Sequence, residues 1–173
     1  PAARRAGFKY LGYSVFGAGM ALAGYFFIAY YLTVPDFQPG GAIDFSRAAE
    51  HQPLLLVAYC LMGNHFHLLL YQESDTTAIT QLMRSVATAY TMYFNRKYEQ
   101  FGHLFQSAFK ASRITNDAYL LHITRYIHMN PRSYMRYKWS SIAVYLGDEV
   151  PVWLHPERVH DMSPAQYREF LGS

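Results

Sequence analysis

A chain of 173 residues suits one domain with room for a real core and a short appendage. Apolar residues make up 51% and charged residues 16%, which excludes a disordered chain. The single cysteine, Cys60, excludes an internal disulfide framework and a cysteine-based zinc site, and fits a reducing interior. With 16 Tyr and 12 Phe, some rings must sit partly exposed, where bases or a partner can stack. The net charge of +3 hides an asymmetry. Residues 84–138 carry nine Lys/Arg against two acids, whereas from Trp139 onward two basic residues face five acidic ones. A basic middle interleaved with aromatics is the footprint of a polyanion binder, and also of an ordinary solvated surface.

Arg4, Arg5 and Lys9 precede an uncharged run from Tyr10 to Pro35. Its length, small-residue spacing and basic flank meet the crude criterion for a membrane helix. Split instead, the run gives an irregular Gly12–Gly24 and an aromatic, β-branched strand over Tyr25–Val34. The strand is the reading we take. Pro35-Asp36 and Pro39-Gly40-Gly41 then form a loop, and Asp44 caps a short helix to His51.

Pro53–Met62 is a continuous apolar strand, buried on both faces or central in its sheet. Gly63-Asn64 reverses the chain, and His65–Tyr71 returns as the second arm of a hairpin. Residues i and i+2 of a strand share a face, so His65 and His67 project together while Phe66 anchors the strand from the other side. Two neutral imidazoles side by side are half of a divalent-cation site; the plainer alternative is a strand with two polar residues on its solvent face. Apolar spacing then predicts a helix over Asp75–Glu99, an extended segment over Leu104–Lys110, and a second helix from Thr115–Asp117 to Asn130. On that helix Tyr119, His122, Tyr126 and Asn130 line up. If it packs across the hairpin, it brings Asn130 to the histidines as an oxygen ligand and Tyr126 beside them as a nucleophile; the plainer alternatives are a core or interface aromatic at Tyr126 and a helix-end residue before Pro131 at Asn130. A phenol titrates near about 10, so the cation and Arg125 are needed to help it act as phenolate. Trp139–Leu146 is a short final element, and Ser163-Pro164 opens a short helix in an accessory segment.

Four fragments occur in order: Tyr59–Leu70 with its Gly-Asn-His-Phe-His core, Phe94-Asn95-Arg96 with Gly102–Gln106, Arg125-Tyr-Ile-His-Met-Asn-Pro131, and Trp139-Ser-Ser141. Together they resemble the HUH single-tyrosine transposases of the insertion-sequence-200 type, especially the REP-associated tyrosine transposases. The resemblance covers about residues 53–147. It implies an α+β, ferredoxin/RRM-like antiparallel sheet with helices packed on one face. It also implies a Mg²⁺- or Mn²⁺-dependent enzyme that nicks and rejoins single-stranded DNA beside hairpins. Carried over, His65, His67 and Asn130 are metal ligands, and Tyr126 is the nucleophile that forms a 5′-phosphotyrosyl link. Lys110, Arg113, Arg125, Arg132 and Arg136 are candidates for the DNA backbone. The expected division is a divergent segment 1–24, a catalytic domain 25–147 and an accessory segment 148–173. The expected setting is the bacterial cytoplasm and nucleoid, as monomer or homodimer, with a membrane anchor over residues 10–34 as the alternative. Two features depart from the family: Gly63 stands where it usually has proline, which loosens the turn, and residues 1–50 do not resemble its usual first strand and helix. A catalytically silent RRM-like nucleic-acid-binding remnant is the alternative function.

Overall fold

The structure, a computed structural model, describes the backbone of residues 8–14 and residues 54–72, 77–151, 153–159 and 161–172. Four strands, β1 (Phe8–Ser14), β2 (Leu55–Leu61), β3 (His65–Tyr71) and β4 (Lys110–Arg113), form one sheet in the order β2-β3-β1-β4. Every neighbouring pair is antiparallel. The α+β class and the ferredoxin-like strand order are those the sequence implied. Phe8–Ser14 takes the first-strand place in the sheet, pairing with β3 on one side and β4 on the other. Residues 25–34 lie outside the described residues, as does the proposed helix over 44–51. Among the described residues no helix is long and apolar enough to cross a membrane.

The β2–β3 hairpin reverses at Gly63-Asn64, closed by Met62 N–H donating to the His65 carbonyl at 2.8 Å. Alternation along β3 then divides the core in two. Phe66, Leu68 and Leu70 pack with Ile79, Met83, Val86 and Tyr90 of α1 (Ala78–Tyr98). Leu69 and Tyr71 pack on the other face with Ile123 and Ile127 of α2 (Asp117–Met129). Tyr145 of α3 (Ile142–Tyr145) and Tyr167 and Leu171 of α4 (Pro164–Gly172) join that second core. Helices therefore cover both faces rather than one, because the chain crosses the sheet after β4. Two of the helices are capped by the residues their sequence offers. Asn116 caps α2 by accepting from Tyr119 N at 2.7 Å. Ser163 and Gln166 cap α4 reciprocally, at 2.8 and 3.3 Å. β4 begins at Lys110, where the expected extended segment was to end, since only Lys110–Arg113 finds a ladder, against β1.

β2 lies at the edge of the sheet yet is buried along nearly its whole length. Its outer side is closed by the C-terminal third of the chain. Leu61 N donates to Trp139 O at 2.8 Å, Ser141 N to Tyr59 O at 3.0 Å, and His155 N to Leu56 O at 2.9 Å. Such cover removes the template that a bare edge offers other chains. The register of β2 shifts between Leu56 and Ala58, and Tyr145 Oη donates to the carbonyl of Val57, within that irregularity, at 2.9 Å. The segment expected to be accessory is thus part of the core.

Ser141 is the junction of these parts. Its Oγ accepts from Tyr59 N at 2.9 Å and lies 2.7 Å from His128 Nε2. His128 Nδ1 lies 2.7 Å from Tyr167 Oη. One proton arrangement satisfies every group: Tyr167 donates to Nδ1, Nε2–H donates to Ser141, and the Ser141 hydroxyl donates to Tyr59 O, 3.3 Å away.

Ser141→Ala should leave buried donors unsatisfied and lower the unfolding free energy by about 2–3 kcal/mol, read from urea melts. Cys60 is fully buried, and burial pushes its thiol up to about 12 against a small opposing effect of a hydrogen bond with Ser140. It should resist an aromatic disulfide reagent in the native protein at pH 8 and react at once in denaturant. Gly63 is not among the left-handed glycines, and a Cβ there would meet nothing within 4 Å. Gly63→Ala should therefore stabilise by about 0.4–1 kcal/mol through the unfolded chain, raising the melting temperature by about 1–4 °C.

Candidate active site

His65 and His67 leave β3 on the face opposite Phe66, as alternation requires, with ring centroids 4.9 Å apart. Helix α2 crosses this face, and the Asn130 amide at its C-terminal end reaches both rings. Asn130 Oδ1 lies 3.1 Å from His65 Nε2, and Asn130 Nδ2 lies 3.1 Å from His67 Nε2. Tyr126, one turn earlier, sets its ring edge-on to His67 with centroids 5.5 Å apart and remains 51% exposed. The four side chains singled out in the sequence are brought together by the helix–hairpin crossing. Asn64, which the sequence reading passed over, also takes part: its Oδ1 lies 2.7 Å from His65 Nδ1.

His67 is nearly buried, and burial, reinforced by the neighbouring His65, pushes its pKa down to about 4. Its imidazole is accordingly neutral at physiological pH, with a lone pair available. Two imidazole nitrogens and an amide oxygen suit a small divalent cation of intermediate hardness. Among the described residues no carboxylate joins them, and no group of three His, Cys, Asp or Glu is placed to hold a metal. The donor set therefore suits an ion whose remaining positions would be filled by water and other oxygen ligands.

Beyond Tyr126 the surface dips into an open pocket of about 440 Å³ lined by His122, Arg125, Tyr126, Met129 and Asn130. His122 and Met129 had no assigned part in the sequence reading beyond the helical alignment of His122. Arg125 lines the pocket; its Nε lies 3.3 Å from Met129 Sδ one turn on, and its other contacts lead to α4. Its Nη2 donates to Leu171 O at 3.2 Å, near the carbonyl end of that helix, and the guanidinium sits 5.4 Å over the Phe170 ring. Held there, it complements a helix C-terminus.

Two of the other basic candidates, Lys110 and Arg113, lie on opposite faces of the sheet. Gly12 of β1 is paired with both His67 and Lys110, so Lys110 shares the histidine face, two strand spacings or about 10 Å away. Arg113 is paired with Lys9 and, through it, with Leu70, which places it on the α1 face. All four of Lys110, Arg113, Arg132 and Arg136 are exposed, the last in the short 3-10 turn Tyr134–Arg136.

This fold recurs in a solved structure of a REP-associated tyrosine transposase bound to a REP hairpin. The two share 12% identity with a TM-score of 0.57, over 92% of this chain and 91% of the other. Among curated proteins none matches the sequence. A family profile described as transposase, IS200 like, matches residues 44–130, which contain the hairpin, both histidines, α1, β4 and the Tyr126–Asn130 turn. The chain, half of which that profile spans, belongs to the IS200-like transposase family.

Proposed function

We propose that the protein is a divalent-metal-dependent nuclease and strand transferase of single-stranded DNA, with Tyr126 as the nucleophile. The observation that carries this reading is the convergence of His65, His67 and Asn130 on one point with Tyr126 beside it. Asn130 and Tyr126 are four residues apart on α2, so a single rotation of the helix positions both. Tyr126 Oη attacks a backbone phosphorus while the bond from phosphorus to the 3′ oxygen breaks. The phenolic proton is released and the leaving 3′ oxygen acquires one. The products are a 5′-phosphotyrosyl protein and a free 3′-OH strand. The link conserves the phosphodiester energy, so a second 3′-OH rejoins DNA by reversing these steps, without ATP. His65, His67 and Asn130 would hold a Mg²⁺ or Mn²⁺ ion, which would supply Lewis-acid stabilisation of charge on the phosphate.

Partly exposed Tyr126 leaves room for a strand at the site, and Lys110 lies on the same face of the sheet. The structurally similar transposase is bound to a REP hairpin, and by that likeness we take the substrate to be single-stranded DNA flanked by a hairpin. Lys110, Arg132 and Arg136 are the proposed backbone contacts, and Arg125 acts chiefly as a tie to α4.

Incubation with Mn²⁺ and a labelled hairpin oligonucleotide bearing single-stranded flanks should give a covalent protein–DNA adduct, seen on denaturing gels. Tyr126→Phe should abolish it with DNA affinity within about threefold of wild type, since the hydroxyl is lost and the ring kept. An adduct that persists in Tyr126→Phe means another nucleophile. DNA binding with no adduct in the wild type supports the silent nucleic-acid-binding alternative.

A further inference from the structure

The metal-ligand reading leaves a question of tautomers at His65. Asn64 Oδ1 lies 2.7 Å from His65 Nδ1, and an amide oxygen only accepts. A neutral ring has one N–H to give, and the shorter of its two amide-oxygen contacts, 2.7 Å against 3.1 Å, assigns it to Nδ1. Nε2 then carries a lone pair, yet its neighbour at 3.1 Å is Asn130 Oδ1, another acceptor. Two acceptors facing each other are not satisfied by hydrogen bonding between themselves, whereas a cation shared by both satisfies them. At His67 the amide nitrogen of the same Asn130 faces Nε2, so the mismatch is confined to the His65 side.

We propose that Asn64 is the positioning residue of the metal site: by accepting Nδ1–H it fixes the His65 tautomer and directs the Nε2 lone pair at the ion. This rests on the metal-ligand reading above. The hairpin holds Asn64 for this task. It is the second residue of a two-residue turn, pinned by the Met62 N–H to His65 carbonyl bond at 2.8 Å, and it joins directly to the histidine it orients. Metal-bound histidines commonly give their other N–H to a carboxylate or carbonyl oxygen. An amide does the same work without adding a negative charge where a DNA phosphate must approach.

The test combines side-chain nitrogen NMR of the metal-free protein with Mn²⁺ titration followed by electron paramagnetic resonance. Wild-type His65 should carry its proton on Nδ1. Asn64→Ala should remove that preference and raise the Mn²⁺ Kd about 10-fold or more, with amide spectra showing an unchanged fold. Asn64→Asp, which keeps the acceptor, should retain the tautomer and hold the Mn²⁺ Kd near the wild-type value or below it. A wild-type proton found on Nε2 overturns the proposal, and so does an Asn64→Ala protein with wild-type Mn²⁺ affinity. His65→Ala separates the two levels. If it binds Mn²⁺ as wild type does, the metal-ligand reading falls and this inference with it; if it loses the ion while Asn64→Ala does not, only the role of Asn64 falls.

Discussion

The hydroxyl of Ser141 is where three otherwise separate parts of the chain are fastened. It engages both backbone groups of Tyr59 on the outer side of β2 and the buried ring of His128 on α2. Through His128 it reaches Tyr167 of the C-terminal helix. Each member of this set is buried, and in a low-dielectric interior such bonds are strong when complete and costly when broken. The edge of the sheet, the helix that carries the site and the last helix of the chain are thereby held as one unit.

Against this fixed frame β3 acts as a divider. Its even-numbered residues, Phe66, Leu68 and Leu70, are committed to the α1 core, so His65 and His67 have no freedom to turn inward on that side. A slip of one residue would exchange the histidines for apolar side chains, and burial on both faces forbids it. The hairpin fixes where the imidazoles point and α2 fixes what meets them. The chemistry sits at the one end of the crossing where polar groups are collected, with Leu69 and Tyr71 filling the apolar remainder.

Local chemistry made much of this legible. The Gly-Asn reversal, the period-2 placement of the histidines, the limits of α2 at Asn116 and Pro131, and the Ser163–Gln166 cap are all written in neighbouring residues. What escaped were features decided by distant partners. Phe8–Ser14 was overlooked in favour of the more hydrophobic Tyr25–Val34, but strand position is settled by which ladder a segment completes, and hydrophobicity alone does not report that. Phe105 and Phe109 suggested an extended segment that begins too early for the same reason. Ser141 lies 82 residues from Tyr59 and 13 from His128, separations that no periodicity exposes. Arg125 was read from its proximity in sequence to Tyr126, although adjacent helical residues diverge by about 100°.

That angular spacing gives the buried His128 network a second meaning. Tyr126, His128 and Asn130 follow one another at intervals of two, so the anchoring residue lies on nearly the opposite side of α2 from the pair that faces the hairpin. The network thus works as a rotational stop. At a side-chain radius of about 5–6 Å, turning the helix by about 10° moves a group by about 1 Å, a displacement that can cost about 100-fold in rate. Substitutions deep in the second core would therefore bear on the proposed catalysis through the aim of the helix, well before they threaten the fold.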